Sequence, residues 1–187
     1  QHWNLIPDIV VVGKGISGGI APLAAVFCQQ KIFEAIQRGS GSFAHSFTFM
    51  NNQFTTGIGN AVLKYVKKHG LVKQSEIKGK YLISKLESLN DLEMVGDIRG
   101  LGLMAGVELV ENKETKKPFP RKKQIAEQVV QAALKRGLSI LFGLGYTKDG
   151  QGDALMITPP FIVSKKEIDK IVKIIRESII EVQINYE

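Results

Sequence analysis

Cysteine and long apolar runs are scarce in this sequence. The single cysteine, Cys28, excludes an intrachain disulfide and a cysteine-based zinc cluster, and it fits a reducing compartment such as the cytoplasm. Glycine or proline interrupts the apolar runs well before about 18 residues, so no membrane-spanning helix is expected. We therefore expect a cytoplasmic protein with neither a metal site nor a membrane partner.

The composition is that of a folded globular chain with an excess of positive charge. The 187 residues are 44% hydrophobic and 23% charged, enough for one good-sized domain or two small lobes. The net charge is +7, and the densest basic cluster lies at residues 113–123. Only Phe119 is interleaved there, so no platform for stacking bases is visible. We interpret the cluster as solvated surface and expect no nucleic-acid partner.

Residues 1–55 have the pattern of part of an α/β sheet. Ile9–Val12 is a short β-branched run, which favours a strand buried on both faces, as in a parallel sheet. A glycine-rich segment follows, and residues 23–27 predict a second buried strand. Residues 29–38 predict a short helix.

Residues 56–91 predict two connecting helices. The first has one apolar face and ends near Gly70, where a C-terminal cap belongs. Ser75 is the expected N-terminal cap of the second. The aligned face of the second helix comprises Lys78, Leu82, Leu86 and Leu89.

Residues 92–187 predict a small α+β domain. Alternating apolar residues over 101–109 predict a strand, and a helix that stops at Gly137 and two further strands follow. Ser164 and Glu167 have the spacing of a capping box, which opens a last helix. The buried stripe of that helix is predicted to comprise Ile168, Ile171, Val172, Ile175 and Ile179.

The glycines of the first segment match a dinucleotide-binding fingerprint in spacing. Gly13, Gly15 and Gly18 follow a predicted strand, which supports an alternative function as a dinucleotide-binding oxidoreductase. That fingerprint needs a helix that starts within the loop, and Pro22 would interrupt such a helix at a cost of ~3 kcal/mol. The pattern therefore disfavours this alternative.

Lys14 lies at the end of the first strand, inside the glycine-rich turn. A desolvated lysine there would have a lowered pKa and become a nucleophile for Schiff-base chemistry with a carbonyl cofactor. Flanking glycines would let a cofactor approach the backbone closely. The alternative is a surface lysine in a flexible loop, and the local residues leave both interpretations open.

Four segments, in order along the chain, resemble the class III aminotransferases, which are pyridoxal-phosphate enzymes that include the omega-amino acid transaminases. The resemblance implies the C-terminal part of a fold-type I enzyme, with the end of a large α/β domain and a small α+β domain. The segments are residues 7–19 (PDIVVVGKGISGG), 45–49 (HSFTF), 95–109 (VGDIRGLGLMAGVEL) and 157–163 (ITPPFIV).

The resemblance also implies residue roles. Lys14 corresponds to the lysine that forms the Schiff base with pyridoxal 5'-phosphate and acts as the general base. Thr48 corresponds to the threonine that binds the cofactor phosphate across the interface of a homodimer. The implied reaction moves an amino group from an amine or omega-amino acid donor to a 2-oxo acid acceptor.

Two positions depart from the family pattern. Residues 50–53 lack the family's glycine and proline, although Asn51 tolerates the left-handed backbone that the turn requires. Met156 stands where members that bind an α-carboxylate often carry arginine. A thioether cannot replace a bidentate arginine, so donors without a carboxylate on the reacting carbon are expected.

Family chains are more than twice this long. The aspartate that pairs with the pyridine nitrogen precedes the lysine in them, so we expect this chain to be a C-terminal portion that is inactive alone. Its two apolar strands would then be exposed. A further alternative is a non-catalytic remnant that acts as an interaction module.

Overall fold

The computed structural model describes residues 2–186, and its contacts divide the chain into two units between Gly70 and Leu71. The chain contains both helices and strands, together with short 3-10 turns. This mixed content agrees with the predicted α/β class. The elements are β1 (Ile9–Val12), β2 (Ala25–Cys28), α1 (Gln30–Arg38), α2 (Gln53–Lys68), α3 (Leu71–Leu86), β3 (Val95–Leu101), β4 (Met104–Leu109), α4 (Ile125–Lys135), β5 (Leu141–Leu144), β6 (Asp153–Ile157) and α5 (Lys165–Tyr186).

β1 and β2 form a two-stranded antiparallel ribbon in the first unit, with Ile9 paired to Cys28. The predicted parallel arrangement is wrong for these strands, because their connection contains no crossover helix and reverses the chain direction. Burial on both faces is also wrong: Val11 is 73% and Val26 68% exposed. A two-stranded ribbon has no layer of its own that covers its faces. A C-terminal portion is also expected to expose these apolar strands, and that expectation is confirmed.

The two helices of the first unit follow the sequence pattern closely. The helix predicted over residues 29–38 is α1. α2 begins at Gln53, three residues before the predicted start, because the Asn52 side chain accepts hydrogen bonds from the backbone N–H groups of Phe54 (3.0 Å) and Thr55 (3.2 Å). Gly70 follows α2 with φ +57°, as its predicted capping role requires.

The second unit has an antiparallel sheet in the order β3-β4-β6-β5. Burial alternates along β4, where Ala105, Val107 and Leu109 are buried. Helices α3 and α4 pack against this sheet, and α5 packs against both of them. The core contains the predicted apolar faces of α4 and α5, and Ile171 is partly buried at its edge.

Two predictions in this unit are wrong. Ser75 does not cap α3, which begins at Leu71; its hydroxyl instead accepts a hydrogen bond from the Leu103 N–H at 3.2 Å. Residues 101–109 are not one strand, because the chain turns between β3 and β4 at Gly102, with φ +56°. Alternation continues across a tight hairpin, so the period alone does not reveal the reversal.

The predicted capping box at the start of α5 is confirmed. The Ser164 N–H and hydroxyl both donate to Glu167 Oε2 at 2.7 Å, and the Glu167 N–H donates to the Ser164 hydroxyl at 3.2 Å. The bonds from Ser164 lower the pKa of the Glu167 carboxyl below its ordinary value of 4.5, and the bond from the Ser164 backbone N–H has the largest effect. The start of α5 is therefore fixed by local interactions that the sequence pattern identifies.

Candidate functional site

Lys14 occupies a strained position two residues after the end of β1. It opens a 3-10 turn, Lys14–Ser17, and its φ of +53° lies in the left-handed region. Such a backbone conformation is uncommon for any residue except glycine and costs about 1–3 kcal/mol. The turn is closed by backbone bonds from Ile16 to Gly13 (3.3 Å) and from Gly18 to Gly15 (3.0 Å).

A shallow cleft of about 360 Å³ lies beside this lysine. Its volume is within the range of small-molecule sites. A Cβ at Gly15 or Gly19 would meet no atom within 4 Å, so the loop backbone has free space beside it. The cleft is lined by Lys14, Ser17, Gly19, Ile20, Ala21, Pro22 and Leu23.

The Lys14 side chain is exposed. The residues of this chain therefore do not desolvate the amine, and the role of Lys14 stays a prediction. The cleft is open to solvent and is lined by the lysine's own loop, so nothing here excludes water from the amine. Among the described lysines of the first unit, only Lys14 has a left-handed backbone.

Ser17 is the best-buried side chain around the cleft, at 1% exposure. Its hydroxyl donates to the Ala21 carbonyl at 2.5 Å, and its carbonyl accepts from the Ile20 N–H at 3.2 Å. Ser17 was not predicted as a site residue, because a serine in a glycine-rich segment resembles any polar loop residue. Its side-chain bond to a carbonyl four residues ahead has no distinctive sequence signal, so it is visible only in the structure.

Helix α2 supports the same loop. A Cβ on Gly18 would lie 3.4 Å from a Val62 methyl, and one on Gly59 would lie 2.5 Å from Leu23 Cδ2. Glycine at these points therefore lets the loop and the helix approach closely. The role of Gly59 could not be predicted from the sequence, since it depends on a partner 36 positions earlier in the chain.

Thr48 lies in an exposed turn at residues 48–51, and it is not among the residues that line the Lys14 cleft. The turn is closed by a hydrogen bond from the Met50 N–H to the Phe47 carbonyl at 2.9 Å. Asn51 has φ +57°, so the prediction that asparagine would preserve the turn without glycine is confirmed.

Charged groups in the second unit are largely paired within the unit. Arg99 donates to Asp97 at 2.5 Å and to Glu108 at 2.8 Å. In the basic segment, Lys116 donates to the Gly96 carbonyl and Lys117 pairs with Glu111. Their partners lie in the same unit, which supports a structural role for these charges.

Met156 lies on β6, where it pairs with Gly106 and with Leu141. Its side chain is 40% exposed, whereas its neighbours Leu155 and Ile157 are buried. The thioether is therefore on the sheet face opposite the core. Among residues 2–186 there is no helix long and apolar enough to cross a membrane, and no group of three or more histidine, cysteine or acidic side chains that could hold a metal.

The family model of class-III aminotransferases matches residues 1–179. This chain belongs to the class III aminotransferase family. The predicted resemblance is thereby confirmed. The dinucleotide-binding alternative finds no support, and the loop after Gly13 starts a 3-10 turn instead of the long helix that the fingerprint requires.

Named relatives are aminotransferases. The uncharacterized aminotransferase YodT of Bacillus subtilis is 39% identical over 186 residues, which cover 99% of this chain and 42% of that protein. The adenosylmethionine-8-amino-7-oxononanoate aminotransferase of Anoxybacillus flavithermus is 29% identical over 184 residues, covering 97% of this chain and 39% of that protein.

Solved transaminases share the fold. The transaminase from the marine bacterium Virgibacillus matches with a TM-score of 0.92 at 31% identity, over 99% of this chain and 41% of that one. A thermostable omega-transaminase from Thermomicrobium roseum matches with a TM-score of 0.87 at 27% identity, over 97% and 39%. The predicted fold is confirmed, and the chain spans about two fifths of the length of these relatives.

Proposed function

We propose that this chain carries the cofactor lysine of a pyridoxal-phosphate-dependent aminotransferase. The reaction transfers an amino group from an amine or omega-amino acid donor to a 2-oxo acid. The observation that carries the proposal is Lys14, held with a left-handed backbone beside a cleft, within the residues that match the family. Strained residues of this kind cluster at ligand sites.

The residues around Lys14 fit pyridoxal phosphate. The lysine amine is the type of nucleophile that would hold an aldehyde cofactor as a Schiff base, with loss of water. Gly15 and Gly19 leave open space in which a ring or a phosphate could approach the backbone. When bound, the cofactor supplies the electron sink for the carbanion at the substrate carbon.

Two side chains of this chain have proposed roles toward that cofactor. The Lys14 amine, once released, takes and returns the proton at the substrate carbon as a general base. The Thr48 hydroxyl donates a hydrogen bond to the phosphate. Because Thr48 does not line the cleft of Lys14, we propose that it serves the second subunit of a homodimer.

The Thr48 role has a direct test. Thr48→Ala in the holoenzyme is expected to weaken cofactor binding by about 1.5–3 kcal/mol, the value of one hydrogen bond to a charged group. The measurement is the dissociation constant of pyridoxal phosphate. An unchanged dissociation constant would show that Thr48 does not bind the cofactor phosphate.

Met156 supports donors without a carboxylate on the reacting carbon. Its thioether offers no charge-assisted bond to such a carboxylate. The likeness to an omega-transaminase points the same way. Turnover of terminal amines compared with α-amino acids measures this preference, and faster turnover of α-amino acids would contradict it.

Location and domain organisation are part of the same proposal. A single exposed cysteine supports a reducing, cytoplasmic setting. We also propose that residues 1–55 belong to the cofactor-binding domain and that residues 92–187 form the small domain. Residues 56–91 would form the helices that connect the two domains. Fractionation of the native host tests the location, and limited proteolysis tests the boundaries.

The deciding experiment uses the 187-residue chain and pyridoxal phosphate. Borohydride reduces the C=N bond formed with lysine, and peptide mass spectrometry then locates the adduct. We expect labelling at Lys14 in preference to Lys64, which is an exposed lysine on α2 of the same unit. Lys14→Ala should remove the preferred adduct and leave that on Lys64. Equal labelling of both lysines would overturn the proposal.

The same chain is expected to give no transamination of pyruvate above the free-cofactor background. The resemblance places the partner of the pyridine nitrogen before the lysine in family chains. Alanine formation that depends on Lys14 would show that this chain contains the complete machinery. Labelling at Lys14 without turnover is therefore the expected pair of results.

A further inference from the structure

We propose that Ser17 is a positioning residue for Lys14. Its hydroxyl, by donating to the Ala21 carbonyl, holds the loop that keeps Lys14 in the left-handed conformation beside the cleft. The inference rests on the proposed function, because it assigns Ser17 a role only if Lys14 binds the cofactor.

The burial of Ser17 is the first observation. Its side chain is 1% exposed, whereas Lys14, Gly15, Gly18 and other residues of the loop are exposed. A buried hydroxyl is normally hydrogen-bonded, and losing its partner costs more than losing an exposed bond. This one bond is made inside the cleft wall, since both Ser17 and Ala21 line the cleft.

The second observation is that the bond closes a ring. The Ser17 carbonyl accepts from the Ile20 N–H at 3.2 Å, while the Ser17 hydroxyl reaches Ala21 at 2.5 Å. Gly18 lies within this ring with φ +63°. Ser17 thus bonds through its carbonyl to Ile20 and through its hydroxyl to Ala21, and these two bonds fix the conformation of residues 17–21.

The third observation is the contact of the loop with α2. Gly18 approaches Val62, and Leu23 packs over Gly59 so closely that a Cβ there would be 2.5 Å from Cδ2. The loop is therefore held by packing on one side and by the Ser17 bond on the other. A strained residue persists only where its surroundings over-determine it, and these two constraints act on the chain three to nine residues after Lys14.

The test compares Ser17→Ala with Ser40→Ala in the 187-residue chain. Ser40 is a matched control, because its hydroxyl also donates to a backbone carbonyl, that of Ser42, at 2.7 Å in an exposed loop of the same unit. The readout is borohydride trapping of pyridoxal phosphate, given as the ratio of labelling at Lys14 to that at Lys64.

Ser17→Ala is expected to lower this ratio about 2- to 12-fold, the equivalent of one net hydrogen bond. Ser40→Ala should leave it unchanged. A second readout is independent of the cofactor: amide hydrogen exchange at Gly18 and Ile20 should accelerate in Ser17→Ala only. An unchanged ratio or unchanged exchange in Ser17→Ala would overturn the inference.

Ser17→Cys keeps the test decisive if the alanine variant does not fold. The thiol is close in size to the hydroxyl and is a weaker donor. The ratio of Lys14 to Lys64 labelling in Ser17→Cys should therefore lie between that of the wild type and that expected for Ser17→Ala. A wild-type ratio in Ser17→Cys would overturn the inference.

The two proposals fail differently. If the wild type labels Lys14 no better than Lys64, the proposed function fails and takes the inference with it. If the wild type prefers Lys14 and Ser17→Ala does so equally, the function stands and only the inference fails.

Discussion

The two units of this chain contain similar apolar patterns and bury them very differently. Among the described residues of the first unit, only Ser17 and Gly59 are buried, and Ile9, Val11 and Val26 are more than half exposed. In the second unit, one face of a four-stranded sheet and the stripes of three helices form a continuous core. Apolar sequence therefore predicts a surface to be covered, and burial requires a covering layer within the same unit.

The largest expected difference between the two units is in the free energy of unfolding that is lost when an ion pair is broken. Asp153 is fully buried and accepts from Arg121 Nη1 at 2.9 Å and from the Ala126 N–H at 3.0 Å. Asp153→Ala should cost about 3–5 kcal/mol, because it leaves a half-buried guanidinium and a buried N–H without this partner. The measurement is the free energy of unfolding of the second unit, followed by hydrogen exchange in α4.

The matched control is the Asp8–Lys31 pair of the first unit, whose side chains are 61% and 65% exposed. Asp8→Ala should cost no more than about 1 kcal/mol. Equal losses in Asp153→Ala and Asp8→Ala would show that the units do not differ in the way that their burial indicates.

Truncation of apolar side chains sharpens the same comparison. Ile179 is fully buried in α5, and Ile179→Ala should destabilise the second unit by about 2–5 kcal/mol. Val26, at 68% exposure, is the control, and Val26→Ala should change stability by no more than about 0.5 kcal/mol. Urea denaturation of both variants measures the two effects. A large loss in Val26→Ala would reveal a covering partner in solution.

Acid should destabilise the second unit. Hydrogen bonds from Arg176 lower the pKa of Asp91, and those from Lys117 lower the pKa of Glu111. Carboxyls with a lowered folded-state pKa stabilise the fold above their unfolded values and lose that contribution as pH falls through the folded-state values. We expect the melting temperature of this unit to decline below about pH 4. Asp91→Asn should flatten that decline, and an unchanged pH profile would argue against the pairing.

The smallest expected effect is a gain in the first unit. Gly57 is exposed on α2, and a Cβ there would meet no atom within 4 Å. Gly57→Ala should stabilise the helix by about 0.5–1 kcal/mol through the lower backbone entropy of alanine. Gly59→Ala is the matched variant, since its Cβ must displace Leu23. Thermal unfolding measured by circular dichroism compares them, and an equal gain would contradict the close contact.

Elements held by interactions within a few residues were predictable. The capping box of Ser164 and Glu167 and the left-handed Gly70 follow from side-chain chemistry and backbone freedom, and the structure contains both. The four family segments likewise identified the fold and placed Lys14 as the candidate cofactor lysine. These signals are local, so they survive in the sequence alone.

Contacts between distant residues were decided by the tertiary structure. The antiparallel pairing of β1 with β2, the bond from Leu103 to Ser75 and the packing of Leu23 over Gly59 each depend on two segments that meet only in the fold. The same holds for the exposure of Lys14, which depends on what lies around its loop and not on the glycines beside it. The sequence by itself predicted most of the helices and strands and placed Lys14 in the glycine-rich turn, because those properties arise between near neighbours. Tertiary structure alone decided strand direction, burial and the constraints on Lys14, because free energy of burial depends on surfaces brought together from far along the chain.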